Sequence, residues 1–179
     1  KDSSLEELVD EIKEPSIVIL TAHGHSKSIE EKLLLKGHKI VDATCPFVNK
    51  SFVEIKNEIN NGNDILYVGV KNHPESNAAL SLSSKVKLID VKECTIPVIN
   101  SKTPLVITQT TLSELEVLKI YKSIKEIYPE AKFNKGVCHA STMRQKAILN
   151  IEKDVDKIFV VGGNNSNNSK TLFNLAKET

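Results

Sequence analysis

Arginine is almost missing from this chain: among 24 basic residues only Arg144 carries a guanidinium. Arginine clusters that grip phosphate in bidentate fashion are thereby excluded. Charge imbalance is missing too, since 24 basic residues against 23 acidic ones leave a net +1. Bulk charge therefore predicts neither nucleic acid nor an anionic membrane as a partner. No apolar run approaches the ~20 residues that a membrane helix needs, and no signal-peptide pattern opens the residues given. Cysteine is scarce: Cys45, Cys94 and Cys138 lie scattered along 179 residues, with no Cys-x-x-Cys pair. That spacing predicts neither a disulfide framework nor a zinc ribbon, and it suggests a reducing, cytoplasmic setting.

What is present is an ordinary globular balance, 40% apolar and 26% charged, enough for one large or two small cores. Short β-branched runs alternate with amphipathic stretches. The pattern predicts helices at 1–12 (capped by Ser3 or Ser4), 27–36, 48–61, 74–82, 113–128, 141–153 and from about Ser169. Strands are predicted at 16–20, 39–43, 65–70, 86–90, 104–108, 132–137 and 157–161, with a loop over 91–103. In 113–128 the residues Val117, Ile120, Tyr121, Ile124 and Ile127 form an apolar stripe, leaving Lys119, Lys122 and Lys125 on a solvated face. This β–α–β repetition implies an α/β fold with parallel sheets and crossover helices.

The unusual polar residues fall at strand carboxyl ends, in "TAHGHS", "TCP", "KNHPES", "TQTTLS", "VCHAST" and "GGNNSNNS". Ligands bind at that edge in open α/β sheets, where helix amino termini offer free N–H groups to an anion such as phosphate or diphosphate. In "DATCPFVNK" the proline stops the strand and holds Cys45 at its end. Singly, each motif has a plain reading: a packed cysteine, a helix cap, a flexible turn. His25 and His38 read as surface residues. Together they suggest thiolate ligands for a metal or iron–sulfur centre, hydrogen-bond donors to an anion, and a carboxylic acid, Glu75, as proton donor.

Six motifs in order, "AHG" at 22–24, "DATCP" at 42–46, "HPE" at 73–75, "TQTTLS" at 108–113, "CHAST.RQ" at 138–145 and "VVGGNNSNNS" at 160–169, carry a resemblance. Over nearly its whole length the chain resembles the LytB/IspH family, 4-hydroxy-3-methylbut-2-enyl diphosphate reductase. The resemblance implies a three-domain pseudo-symmetric α/β fold around a 4Fe–4S cluster, with one cysteine from each domain. It implies reductive removal of the substrate's hydroxyl, giving isopentenyl and dimethylallyl diphosphates in the non-mevalonate isoprenoid pathway. Electrons would come from a donor such as ferredoxin or flavodoxin, and no nucleic-acid partner is expected for this segment.

Carried over motif by motif, Cys45 and Cys138 resemble cluster ligands. His23, His73, Ser166, Asn167 and Asn168 resemble the diphosphate-binding groups, with asparagine at 167 where the family commonly has serine. Glu75 resembles the proton donor and Thr110 the hydroxyl beside it. Cys94, in "VKECTIPVI", matches no motif. The family's amino-terminal cysteine and histidine and its carboxyl-terminal "GAS"-like serine have no counterparts here. The expectation is a central fragment, inactive alone: residues 1–46 part of a first α/β domain, 47–138 a complete second, 139–179 part of a third. Two other readings compete, a cluster-free α/β phosphate-binding module and a metal-dependent phosphoesterase built on His23, His73 and Glu75. The second suffers from too few carboxylates for a two-metal site.

Overall fold

The computed structural model describes residues 5–134, 139–151, 155–164 and 166–178. The caps expected at Ser3 or Ser4, and Cys138, lie outside the described residues. The order is α1 (Leu5–Glu11), β1 (Ile17–Leu20), α2 (Lys27–Leu35), β2 (Lys39–Asp42) and α3 (Pro46–Asn60). Then follow β3 (Ile65–Gly69), α4 (Pro74–Ser81), β4 (Val86–Asp90), β5 (Leu105–Thr108), α5 (Glu114–Ile127), β6 (Lys132–Asn134), α6 (His139–Leu149) and α7 (Asn167–Glu178).

Among the described residues all strand pairs are parallel, in a two-stranded sheet β1-β2 and a four-stranded sheet ordered β4-β3-β5-β6. Successive side chains of a strand point to opposite faces, and the four-stranded sheet uses both. Ile65 and Tyr67 of β3 and Leu105 and Ile107 of β5 pack under Val48, Phe52 and Ile55 of α3 and Ala78 and Ala79 of α4. Leu66, Val68 and Val106 face the other way, against Val117, Ile120 and Ile124 of α5. Burial on both faces is why these strands read as unbroken apolar runs. The predicted stripe ends one turn early: Ile127, the last residue of α5, is 55% exposed and outside the core cluster.

The chain leaves β3 through α4 to β4 on one side, then returns past β3 to β5 and runs through α5 to β6 on the other. The return is the loop 91–104, anchored where Tyr128 Oη accepts the Ile99 N–H (3.1 Å) and donates to the Pro97 carbonyl (3.0 Å). Strand order therefore reverses between β3 and β5, which opens a crevice at their carboxyl ends.

In the smaller sheet Leu20, Ile29, Leu33 and Val9 form the core. His38, read from sequence as a surface residue, is 4% exposed, and its Nδ1 accepts the Ser16 N–H at 3.1 Å. His25 was expected at the surface too, yet its side chain is only 8% exposed, with Nε2 2.6 Å from Glu30 Oε1. Both corrections have one cause: each histidine serves a polar group on a neighbouring turn, which periodicity does not register.

The predicted strand at 157–161 does not form. Phe159 and Val161 are 84% and 94% exposed, and among the described residues no strand lies alongside to share a ladder. β-propensity alone does not make a strand without a partner. Helix α3 starts at Pro46, two residues before expectation, because proline at the first helical position needs no N–H partner. Helix α6 runs from His139 to Leu149 rather than from 141 to 153.

Candidate active site at the sheet reversal

The site grows from two turns. After β3, Asn72 takes a left-handed conformation (φ 64°), and His73 caps α4, its Nδ1 accepting the Glu75 N–H at 3.2 Å. Pro74 at the first helical position makes the turn abrupt. Glu75 then folds back under the sheet edge and is 1% exposed. A second turn follows β5, where Thr110 meets it. The Thr110 N–H donates to Glu75 Oε1 at 2.9 Å, and Thr110 Oγ1 lies 2.8 Å from Oε2. Tyr67 of β3, fully buried, donates its hydroxyl to Oε1 at 3.2 Å.

Burial raises the Glu75 pKa, while the Thr110 N–H, the Thr110 hydroxyl and the Tyr67 hydroxyl pull it down. The balance favours retaining a proton above the usual carboxylate range, the property of a buried general acid. Tyr67 stays protonated, because burial and then the nearby Glu75 push its own pKa well up.

Beside the acid stand two imidazoles. The rings of His23 and His73 are 5.1 Å apart in an edge-to-face arrangement. Burial, then His23, lowers the His73 pKa to about 4, and burial lowers that of His23 although the residue is exposed on one side. Because Nδ1 of His73 accepts a backbone N–H, its neutral ring carries the proton on Nε2 and is a donor there. Gly24 lets the His23 turn close: its φ is +78°, and a Cβ there would lie 2.5 Å from the Phe52 ring.

Cys45 caps α3 with its backbone and makes no side-chain cap bond. Its N–H donates to the Ala22 carbonyl at 3.0 Å, joining the exits of β1 and β2. Asp42 Oδ1 accepts the Thr44 N–H and hydroxyl at 2.8 and 2.6 Å, bracing the same turn. On the far side, Asn167 at the start of α7 donates Nδ2 to Thr111 Oγ1 at 3.0 Å. Ser166 Oγ accepts the Ser169 N–H, and Asn168 Oδ1 is buried with no partner among the described residues. The described candidates thus form one rim, running from Cys45 through His23, His73, Glu75 and Thr110 to Asn167.

Sequence reasoning missed two members of this rim. Tyr67 read as one more strand residue, though a single phenol in an otherwise apolar run was the available signal. Gln109, fully buried, accepts the Val70 N–H (2.9 Å) and donates to Thr111 Oγ1 (2.8 Å), tying β3, β5 and the α7 loop together. Cys94 stands apart in the exposed 91–104 loop, bonded to the Val91 carbonyl. A cavity of about 450 Å³ between α5 and α7 touches Asn167 but none of the acid–imidazole group. Among the described residues no three metal-ligating side chains converge. A thiolate-bound group is chemically compatible with Cys45, a free and partly buried cysteine whose side chain makes no cap bond.

A buried carboxyl with a raised pKa, beside two imidazoles with lowered ones, at the reversal point of a parallel α/β sheet, is an arrangement that can bind an anion and move a proton. The LytB protein family model matches residues 3–179. The chain belongs to the LytB family. It is 38% identical over 179 residues to 4-hydroxy-3-methylbut-2-enyl diphosphate reductase of Malacoplasma penetrans, covering 96% of this chain and 60% of that protein. The reductase of the same name from Fusobacterium nucleatum is 38% identical over 174 residues, covering 95% of this chain and 21% of that longer protein.

Among solved structures, the E-1-hydroxy-2-methyl-but-2-enyl-4-diphosphate reductase from Plasmodium falciparum superposes with TM-score 0.84 at 29% identity, covering 95% of this chain and 55% of that one. A structure titled as (E)-4-hydroxy-3-methyl-but-2-enyl diphosphate reductase, the terminal enzyme of the non-mevalonate pathway, gives TM-score 0.67 at 27% identity, covering 94% and 62%. The chain therefore spans about three fifths or less of the length of these relatives.

Proposed function

We propose that this chain supplies the central part of a reductase that removes the hydroxyl group of 4-hydroxy-3-methylbut-2-enyl diphosphate. The contact of Thr110 Oγ1 with buried Glu75 Oε2, within a LytB-family chain, carries the reading. His73 and His23 donate to diphosphate oxygens as neutral imidazoles, which costs no charge burial, and Ser166, Asn167 and Asn168 close on the group from the opposite side. Asn168 would donate through its amide nitrogen, since its buried Oδ1 is an acceptor that a phosphate oxygen cannot satisfy. Glu75 delivers a proton through Thr110 to the departing hydroxyl, and its burial raises its pKa, which favours the protonated donor form.

Cys45, with Cys138, would hold a 4Fe–4S cluster, which when bound supplies electrons and a Lewis-acidic iron at the rim. The electron donor is a small redox protein of the ferredoxin or flavodoxin kind, in a cytoplasmic setting. Among the described residues no helix is long and apolar enough to cross a membrane. The domain division proposed is 1–46, 47–138 and 139–179, supported by the break between the two sheets and by α3 packing on the larger one.

The test is Glu75→Gln in the whole protein, assayed anaerobically with a chemical reductant. Turnover should fall at least 100-fold with bound iron unchanged. Unchanged turnover removes Glu75 from the mechanism. Tight diphosphate binding by a protein that never takes up iron would favour the cluster-free phosphate-binding module instead.

A further inference from the structure

We propose that Tyr67 is a positioning residue for the Glu75 acid, occupying Oε1 so that the transferable proton sits on Oε2 against Thr110. The proposal rests on the reading of Glu75 as proton donor. The two oxygens of Glu75 are not equivalent. Oε1 faces two donors, the Thr110 N–H at 2.9 Å and the Tyr67 hydroxyl at 3.2 Å. A backbone N–H donates in every protonation state. Tyr67 keeps its own proton, because burial and the adjacent Glu75 hold its pKa well up. With both donors aimed at it, Oε1 accepts and does not carry the proton. Among the described residues Oε2 has one hydrogen-bond partner, Thr110 Oγ1 at 2.8 Å, and a hydroxyl is a group that can take a proton and pass on its own.

The relay is then balanced. The Oε2–H proton moves to Thr110 Oγ1 as the threonine's original proton moves to the substrate oxygen, which leaves a carboxylate and an intact threonine. The new carboxylate is received by Tyr67 and the Thr110 N–H, donors already in place. Such preorganised donors stabilise charge where it develops, in a site that excludes water. Sequence placement explains how the phenol gets there. Tyr67 lies two residues before Gly69 on the same strand face, and Gly69 has no side chain to separate the ring from α4.

Among the described residues the titratable groups around Glu75 are few. Tyr67 comes from β3, His73 heads the acid's own helix with His23 beyond it, and Cys45 at the head of α3 packs on the cluster that contains Tyr67. Neither imidazole donates to the carboxyl, so a shift in its titration on altering Tyr67 is assignable to the phenol.

The experiment compares Tyr67→Phe and Glu75→Gln in the whole protein. Phenylalanine keeps the ring and its packing and removes one donor to the carboxylate. The protonated-carboxyl infrared band, assigned by its loss in Glu75→Gln, should titrate about one unit higher in Tyr67→Phe. The pH profile of kcat should move the same way, kcat should fall about 10-fold and KM should stay constant. An unmoved band and profile overturn the role of Tyr67. Full turnover in Glu75→Gln instead overturns Glu75 as donor, and the infrared titration still reports whether Tyr67 holds the carboxyl. Thermal unfolding of both variants separates these outcomes from misfolding.

Discussion

Replacing Gly69 with alanine tests whether the crevice is as tightly built as the rim requires. Gly69 ends β3 and does not have a positive φ, so alanine suits its backbone. The obstacle is space. A Cβ there would sit 2.5 Å from Ser76 Oγ, 2.8 Å from Tyr67 Cε1 and 3.3 Å from Gln109 Oε1. All three side chains are fully buried and close-packed, so none can swing into solvent. Overpacking of this kind costs about 1–3 kcal/mol. Displacing Ser76 also breaks its 3.3 Å bond to Gln109 Oε1, which adds about 1 kcal/mol. Equilibrium urea unfolding should therefore show a loss of about 2–4 kcal/mol in Gly69→Ala.

Gly62→Ala is the control. There φ is +88° and no described residue lies within 4 Å of the added Cβ, so only left-handed strain of about 1 kcal/mol applies. Adding Ser76→Ala to Gly69→Ala should recover part of the loss, because the shortest contact disappears while the Tyr67 ring still intrudes. If Gly69→Ala is no less stable than Gly62→Ala, the packing argument at the crevice is wrong.

The pH dependence of stability follows from His73. Its pKa is about 4 in the fold against 6.5 for an unperturbed imidazole, so the unfolded chain takes up a proton first as pH falls. Stability from this residue is fully present above pH 6.5 and declines between 6.5 and about 4. With screening at a half-buried ring the loss is about 1–2 kcal/mol, and His73→Asn, which can still cap α4, should flatten it in urea titrations across that range. Thr110→Val keeps the N–H bond to Oε1 and removes the hydroxyl from Oε2. It should raise the Glu75 pKa further, cost about 1 kcal/mol of stability and abolish turnover in steady-state assays. Wild-type rates in Thr110→Val would take the threonine out of the proton path.

Local chemistry made much of the larger sheet readable. Ser113 with Glu116 forms a capping box at α5, with the Glu116 N–H donating to Ser113 Oγ at 3.2 Å, and a serine before an amphipathic run announces such a start. His73-Pro74-Glu75 likewise carries its own cap and first-turn acid. The strand at 157–161 shows the limit of such reading: "KIFVV" has the composition of a strand, yet a ladder needs a second chain segment, and composition carries no information about one. His25 and His38 failed for a related reason. Their burial goes with partners that periodicity does not mark, Glu30 in the first turn of α2 for His25 and Ser16, 22 positions away, for His38.

The sequence by itself determined the alternating α/β course, the caps that start α4 and α5 and the motif order that marks the family, because all three are written in residues a few positions apart. The tertiary structure alone decided that strand order reverses between β3 and β5. That reversal brings Thr110 onto a carboxylate 35 positions earlier in the chain and sets Tyr67 against the same group. Contacts across such separations exist only after loop-closing entropy has been overcome by burial on both sheet faces. No local pattern encodes which distant donor then meets a buried acid.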